Sequence, residues 1–148
     1  MKGLFLTCLI WGLIQSPGGV DPKGLVGTWQ GEGRYLDGEL DRARGPVPFL
    51  VRVDDALQGE GTVGDARIRD WRLERRGRIL RIEARLEGRV RMDAPFEKDH
   101  LFLQVEDLRT NRFTAEFQLR SDEAFDPSPE EGRVTFTRIR PLSDPAKP

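Results

Sequence analysis

Apolar and charged side chains alternate one for one between Leu80 and Leu86: Leu80, Ile82, Ala84 and Leu86 are interleaved with Arg81, Glu83 and Arg85. A period of two sends the two sets to opposite faces of an extended strand, whereas a helix would scatter both around its surface. The same rhythm recurs at Phe113, Ala115, Phe117 and Leu119, set against Thr114, Glu116, Gln118 and Arg120, and again at Leu101, Leu103 and Val105. Weaker versions run through residues 25–35, 46–54, 57–63, 66–75 and 133–140, each bounded by turn residues, which brings the expected strand count to eight.

The links between these segments are short. Gly64-Asp65 fits a two-residue hairpin with glycine at the first central position, and Arg76-Gly77 is expected to join the next pair tightly. Ile68 and then Trp71 with Leu73 switch parity, which predicts a bulge. Gly88 interrupts a run that resumes at Val90 and Met92, so it is either a second bulge or the turn into a ninth short strand. No stretch beyond a turn or two has helical periodicity, and residues 36–45 read as a loop. The fold class expected is therefore all-β. A single antiparallel up-and-down barrel of about eight strands is favoured over a two-sheet sandwich, because closure leaves no exposed edge.

At the N-terminus, Lys2 followed by the apolar run Leu4 to Ile14 resembles the charged and hydrophobic regions of a secretory signal, too short to span a bilayer as a helix. Residues 1–19 are thus expected to be a signal segment and the protein to be exported, to a periplasm or beyond the cell. The folded unit is expected over residues 24–141, after a Pro/Gly-rich linker, with a flexible tail at 142–148. The only cysteine, Cys8, falls in the leader, with too few residues ahead of it for a lipidation signal, so the folded unit has no disulfide or thiolate chemistry. A formal net charge of −1 gives no global attraction to nucleic acid, and no membrane span is expected once the signal is removed. Charge is uneven along the chain: residues 65–91 hold ten Arg against five acids, and residues 92–131 four Lys or Arg against eleven. Cross-strand pairing is expected to neutralise much of that.

Gly27-Thr28-Trp29, in the first expected strand, resembles the Gly-x-Trp motif that opens lipocalin-like (calycin-type) barrels. The resemblance implies an arginine late in the barrel packed over the motif tryptophan. Arg138 is placed for that role, sharing a face of the last strand with Val134 and Phe136. Trp29 and Arg138 would then be a structural closure, not a ligand site. The longer string Gly27 to Gly33 is also similar to the opening of nitrobindin-type barrels, which hold haem through a histidine near the C-terminus. The only histidine here, His100, begins the sixth strand, so that ligand does not carry over and no cofactor is expected.

Catalytic and metal chemistry find little support. His100 stands beside Glu97, Lys98 and Asp99, but a zinc site there would need an all-carboxylate remainder. Ser121, Ser128 and Ser143 lack a nucleophile elbow. The acidic stretch 121–132 has oxygen ligands without an EF-hand spacing, and reads as a solvated connection whose Phe125 could tuck against the barrel mouth. The expectation is a non-enzymatic protein binding a small, mainly apolar molecule inside the barrel. Tyr35, Phe49, Val51, Leu80, Ile82, Leu103, Phe117 and Phe136 would line the interior. The alternative is a packed envelope barrel that binds another protein through its loops, marked by Trp71 or Phe102 if either points outward.

Overall fold

The computed structural model describes residues 21–92, 98–121 and 129–140. The expected signal segment at 1–19, the expected tail at 142–148 and Phe125 lie outside the described residues. Eight strands follow in order: β1 (Gly27–Tyr35), β2 (Val47–Val53), β3 (Gly59–Val63), β4 (Ala66–Arg76), β5 (Ile79–Glu87), β6 (His100–Leu108), β7 (Arg112–Arg120) and β8 (Glu130–Arg138). Each pairs antiparallel with the next, and β8 returns to β1, so the sheet closes into an up-and-down barrel. The period-two pattern decides which way each strand faces: in β2, β5 and β8 every second residue is buried and those between are exposed.

Gly64-Asp65 makes the turn between β3 and β4, with Gly64 at φ +58°, which a tight hairpin needs. The next hairpin turns at Gly77-Arg78, one residue later than the sequence suggests, because β4 runs on to Arg76. The parity change after Ile68 is a bulge: the β4–β5 register slips between Arg69 and Arg72, Asp70 sits at φ +50°, and Trp71 is turned into the core. Gly88, at φ +90°, ends β5 and leads into neither a bulge nor a ninth strand among the described residues. The chain folds over the barrel end there, burying Val90, whose carbonyl accepts the Asp65 amide at 3.0 Å.

Two segments correct the sequence reading. Residues 36–45 hold a two-turn helix, α1 (Gly38–Arg44), none of whose residues is buried, so no apolar stripe announces it. Its signal is at the ends: Asp37 caps the Glu39 and Leu40 amides, acids occupy the first turn, arginines the last, and Gly45 follows at φ +72°. The last strand starts at Glu130, three residues before the expected 133, so Glu130 and Glu131 belong to β8 and not to the acidic loop.

One end of the barrel is plugged. Trp29 and Arg138 are direct partners in the β1–β8 register, and the guanidinium carbon lies 4.2 Å from the Trp29 ring centroid. Trp29 Nε1 donates to the Leu25 carbonyl at 2.8 Å, in a 3-10 turn (Pro22–Leu25) that caps this end. Arg138 donates to the carbonyls of Gly24 (3.2 Å), Val26 (2.6 Å) and Thr110 (2.9 Å). Burial lowers its pKa from the ordinary value, and those three oxygens satisfy the charge that burial would otherwise penalise. Stacking on the indole adds about 0.5–2 kcal/mol.

Arg138→Ala would leave three carbonyls without a donor and bare the indole face. The expected loss is roughly 2–4 kcal/mol, read as a lower urea midpoint at unchanged m-value, with Arg138→Lys losing about half as much. An unmoved midpoint in the alanine variant would show that closure does not depend on this residue.

Candidate functional site

All eight residues expected to line the interior face inward, none more than 5% exposed. They divide into two sets. On the β7, β8, β1 and β2 side, aromatic rings form a continuous column from the plug to the other end. Trp29 meets Phe113 at 4.8 Å, Phe113 stacks on Phe136 at 4.5 Å, and Phe136 meets Phe49 at 5.6 Å; Phe49 then meets Phe117 at 5.4 Å and Phe117 meets Tyr35 at 6.0 Å. Glycines make room for it. A Cβ on Gly33 would come within 2.8 Å of both Phe49 and Phe117, and one on Gly132 within 2.5 Å of Phe117. Packing of this kind leaves little room between the rings themselves. The β3 to β6 wall is built instead from smaller aliphatic side chains such as Val63, Ala66, Ile82, Ala84 and Leu103, with Trp71 among them.

Opposite the plug, α1 sits over the mouth. Arg34 holds Asp41 at 2.7 Å, and Asp41 Oδ1 also accepts the Tyr35 amide at 3.1 Å, which ties the helix to β1. The hydrogen bond from Arg34 keeps the Asp41 carboxyl below its ordinary value. Arg44, at the end of α1, pairs with Glu130, and Arg91 donates to the Arg44 carbonyl. Glu130 occupies an inward position on β8 and is 8% exposed, so this pair closes the mouth from within the wall.

Tyr35 lies beneath that pair. The Arg44 guanidinium, committed to Glu130, stands 6.0 Å from the Tyr35 ring centroid. Both groups act on the phenol, yet Tyr35 Oη is buried and meets no partner at hydrogen-bonding geometry. Its pKa is raised above the ordinary 10.0, chiefly by burial and then by the Glu130 charge, with Arg44 opposing. Trp71 Nε1 is a second buried polar atom with no partner. Tyr35 is among the eight lining residues the sequence leads one to expect; Trp71 is not, because its direction is settled only by the bulge.

The other candidates are dispersed. His100 begins β6, stacked on Phe102 at 6.3 Å, and among the described residues no group of three His, Cys, Asp or Glu side chains is placed to hold a metal. Glu106 and Glu116 meet on the outer wall with Arg133 3.3 and 3.5 Å away. Partial burial and the bond to Glu116 raise the Glu106 pKa. Of the two aromatics whose direction was open, Trp71 turns in and Phe102 out, under Arg81 at 5.3 Å. Phe102 floors a shallow groove of about 290 Å³ with Leu36, Gln104 and Gln118. Opposite charges meet across hairpins in Arg69–Glu87 at 2.6 Å and Arg52–Glu60 at 3.8 Å. No helix among the described residues is long and apolar enough to cross a membrane. No protein-family model, curated protein or solved structure matches the chain.

Tyr35 is the only tyrosine, so its ionisation can be followed alone at 295 nm. The expected midpoint lies above 10 in the folded protein and falls to about 10 in concentrated urea. Because the folded state holds this proton more tightly, the contribution to stability is complete below pH 10 and is lost as pH rises through the folded-state value. A folded-state midpoint at or below 10 would place the phenol in contact with solvent or with the Arg44 charge.

Proposed function

We propose that this chain is a non-enzymatic, lipocalin-like binding barrel, exported by its leader, that takes one small, mainly apolar molecule into its β3 to β6 half. The observation that carries this reading is the Tyr35 hydroxyl, buried beside Arg44 and Glu130 with neither at hydrogen-bonding geometry. A buried hydroxyl left unpaired costs about 1–3 kcal/mol, and a phenylalanine would fill the same space without that cost. A polar group kept at such a position fits a site in which a few polar atoms orient a guest within apolar walls. The Arg138–Trp29 closure supports the reading in a second way: its geometry is the one the Gly-x-Trp resemblance implies.

The test is Tyr35→Phe, examined by native mass spectrometry of protein purified from its source and by urea unfolding. The variant is expected to gain about 1 kcal/mol of stability and to lose a molecule that accompanies the native protein. A native protein that carries nothing, together with a variant that is less stable, would overturn the reading.

The outward Phe102 favours a second reading, a packed envelope barrel that docks another protein on its outer wall and on α1. Leu36, 66% exposed beside the same groove, adds apolar surface. Under this reading Phe102→Ser would abolish cross-links to an envelope protein at unchanged thermal stability; under the first reading the cross-linking pattern would not change.

A further inference from the structure

The joint between β3 and β4 is unlike the others in the barrel. Its pairing is confined to Thr62↔Arg67 and Val63↔Ala66, beside the hairpin turn. The remaining neighbours pair at five to eight positions each. Away from the turn, β3 presents Gly59 and Gly61, and β4 bulges at Asp70. Leu57 at φ +63° and Asp70 at φ +50° flank this stretch, and they are the two non-glycine residues with positive φ among those described. Backbone strain is therefore concentrated where the ladder is shortest.

Trp71 closes the gap. Its indole lies so close to Gly59 that a Cβ there would come 2.5 Å from Trp71 Cε2. Trp71 is 6% exposed, and its buried Nε1 has no acceptor, in contrast to Trp29 Nε1, which is bonded to Leu25. Elsewhere access to the interior is obstructed: one end by the Trp29–Arg138 plug, the other by α1, the Arg44–Glu130 pair and Val90.

We propose that the β3–β4 seam is the way into the barrel and that the Trp71 N–H sets specificity, selecting apolar molecules that carry a hydrogen-bond acceptor, a carbonyl or ether oxygen, over hydrocarbons of the same shape. The inference rests on the interior-binding reading above. A joint with few backbone hydrogen bonds opens at lower free energy than its neighbours. Swinging the indole off Gly59 uncovers a stretch of β3 whose inward positions, Gly59 and Gly61, carry no side chain. Once the ring closes again, a guest with an acceptor satisfies the orphan donor, whereas a hydrocarbon leaves it unpaired in an apolar wall; sites built to hydrogen-bond a guest reject analogues that cannot reciprocate.

The experiment uses the full chain labelled with ¹⁵N-tryptophan, titrated with acetophenone and with cumene, its carbonyl-free counterpart of similar shape. Acetophenone is expected to bind about tenfold or more tightly than cumene and to move the Trp71 indole resonance, assigned by its loss in Trp71→Phe, while leaving that of Trp29 in place. Trp71→Phe is expected to bind both probes with the preference erased. Hydrogen exchange is expected to be faster for the amides of residues 59–61 and 68–70 than for those of the β1–β8 joint. Equal affinity for the two probes with an unmoved Trp71 resonance would overturn the specificity role while leaving interior binding intact. Exchange at the seam as slow as at the other joints would overturn the route. If neither probe perturbs any interior residue at millimolar concentration, the interior-binding reading fails and this inference fails with it.

Discussion

The joint between β1 and β8 is the constraint on which the rest of the molecule depends. Seven consecutive residues of β1 pair with β8, and only through them does every strand acquire a neighbour on both sides. Without that joint two long strand edges would present unpaired amides to solvent, and the inward faces of both terminal strands would lose their cover. The two partners come from opposite ends of the folded chain, so the loop they close is long and their contacts are the costliest in chain entropy to form. Concentrating bonds at that point offsets the cost. Arg138 alone ties β8 to the turn before β1 and to the β6–β7 link through three carbonyls, while its charge lies on the Trp29 ring.

Most of the fold was legible because a half-buried strand writes its two faces into alternate positions. All eight strands, the Gly64 turn and the bulge before Trp71 follow from that rule, the bulge because Ile68 and Trp71 break parity. What was missed has a physical reason in each case. Helix α1 buries none of its residues, so it carries capping signals and no periodicity. The start of β8 is hidden because its inward residues there are Glu130 and Gly132, one charged and one lacking a side chain, where the rhythm calls for apolar groups. A second register shift, between Val105 and Asp107 in β6, leaves no mark because Leu101, Leu103 and Val105 end before it. Of the candidate site, the inward direction of the eight lining residues could be read from parity alone. Their division into a ring-packed side and an aliphatic side could not, since it depends on which strands become neighbours when the barrel closes.

That division gives the interior two different physical roles. The aromatic column, seated against Gly33 and Gly132, is a rigid core that spans the barrel from plug to mouth. Rings that interlock with glycine floors tolerate little change, because a single added methyl group must displace a phenyl or the backbone opposite. The other side departs from that economy: it holds the shortest ladder, the strained Leu57 and Asp70, and a buried indole donor with no acceptor, while Tyr35 and its unpaired hydroxyl close the column at the mouth.

Such departures are tolerated only in a protein with stability to spare, and they gather where a structure must open or bind. Here the surplus is found in the β1–β8 closure and the ring column. It lies in strands β7, β8, β1 and β2, whereas the seam joins β3 to β4. A barrel divided in this way can loosen one joint without unzipping, because the hydrogen bonds that hold its circumference are not those that yield.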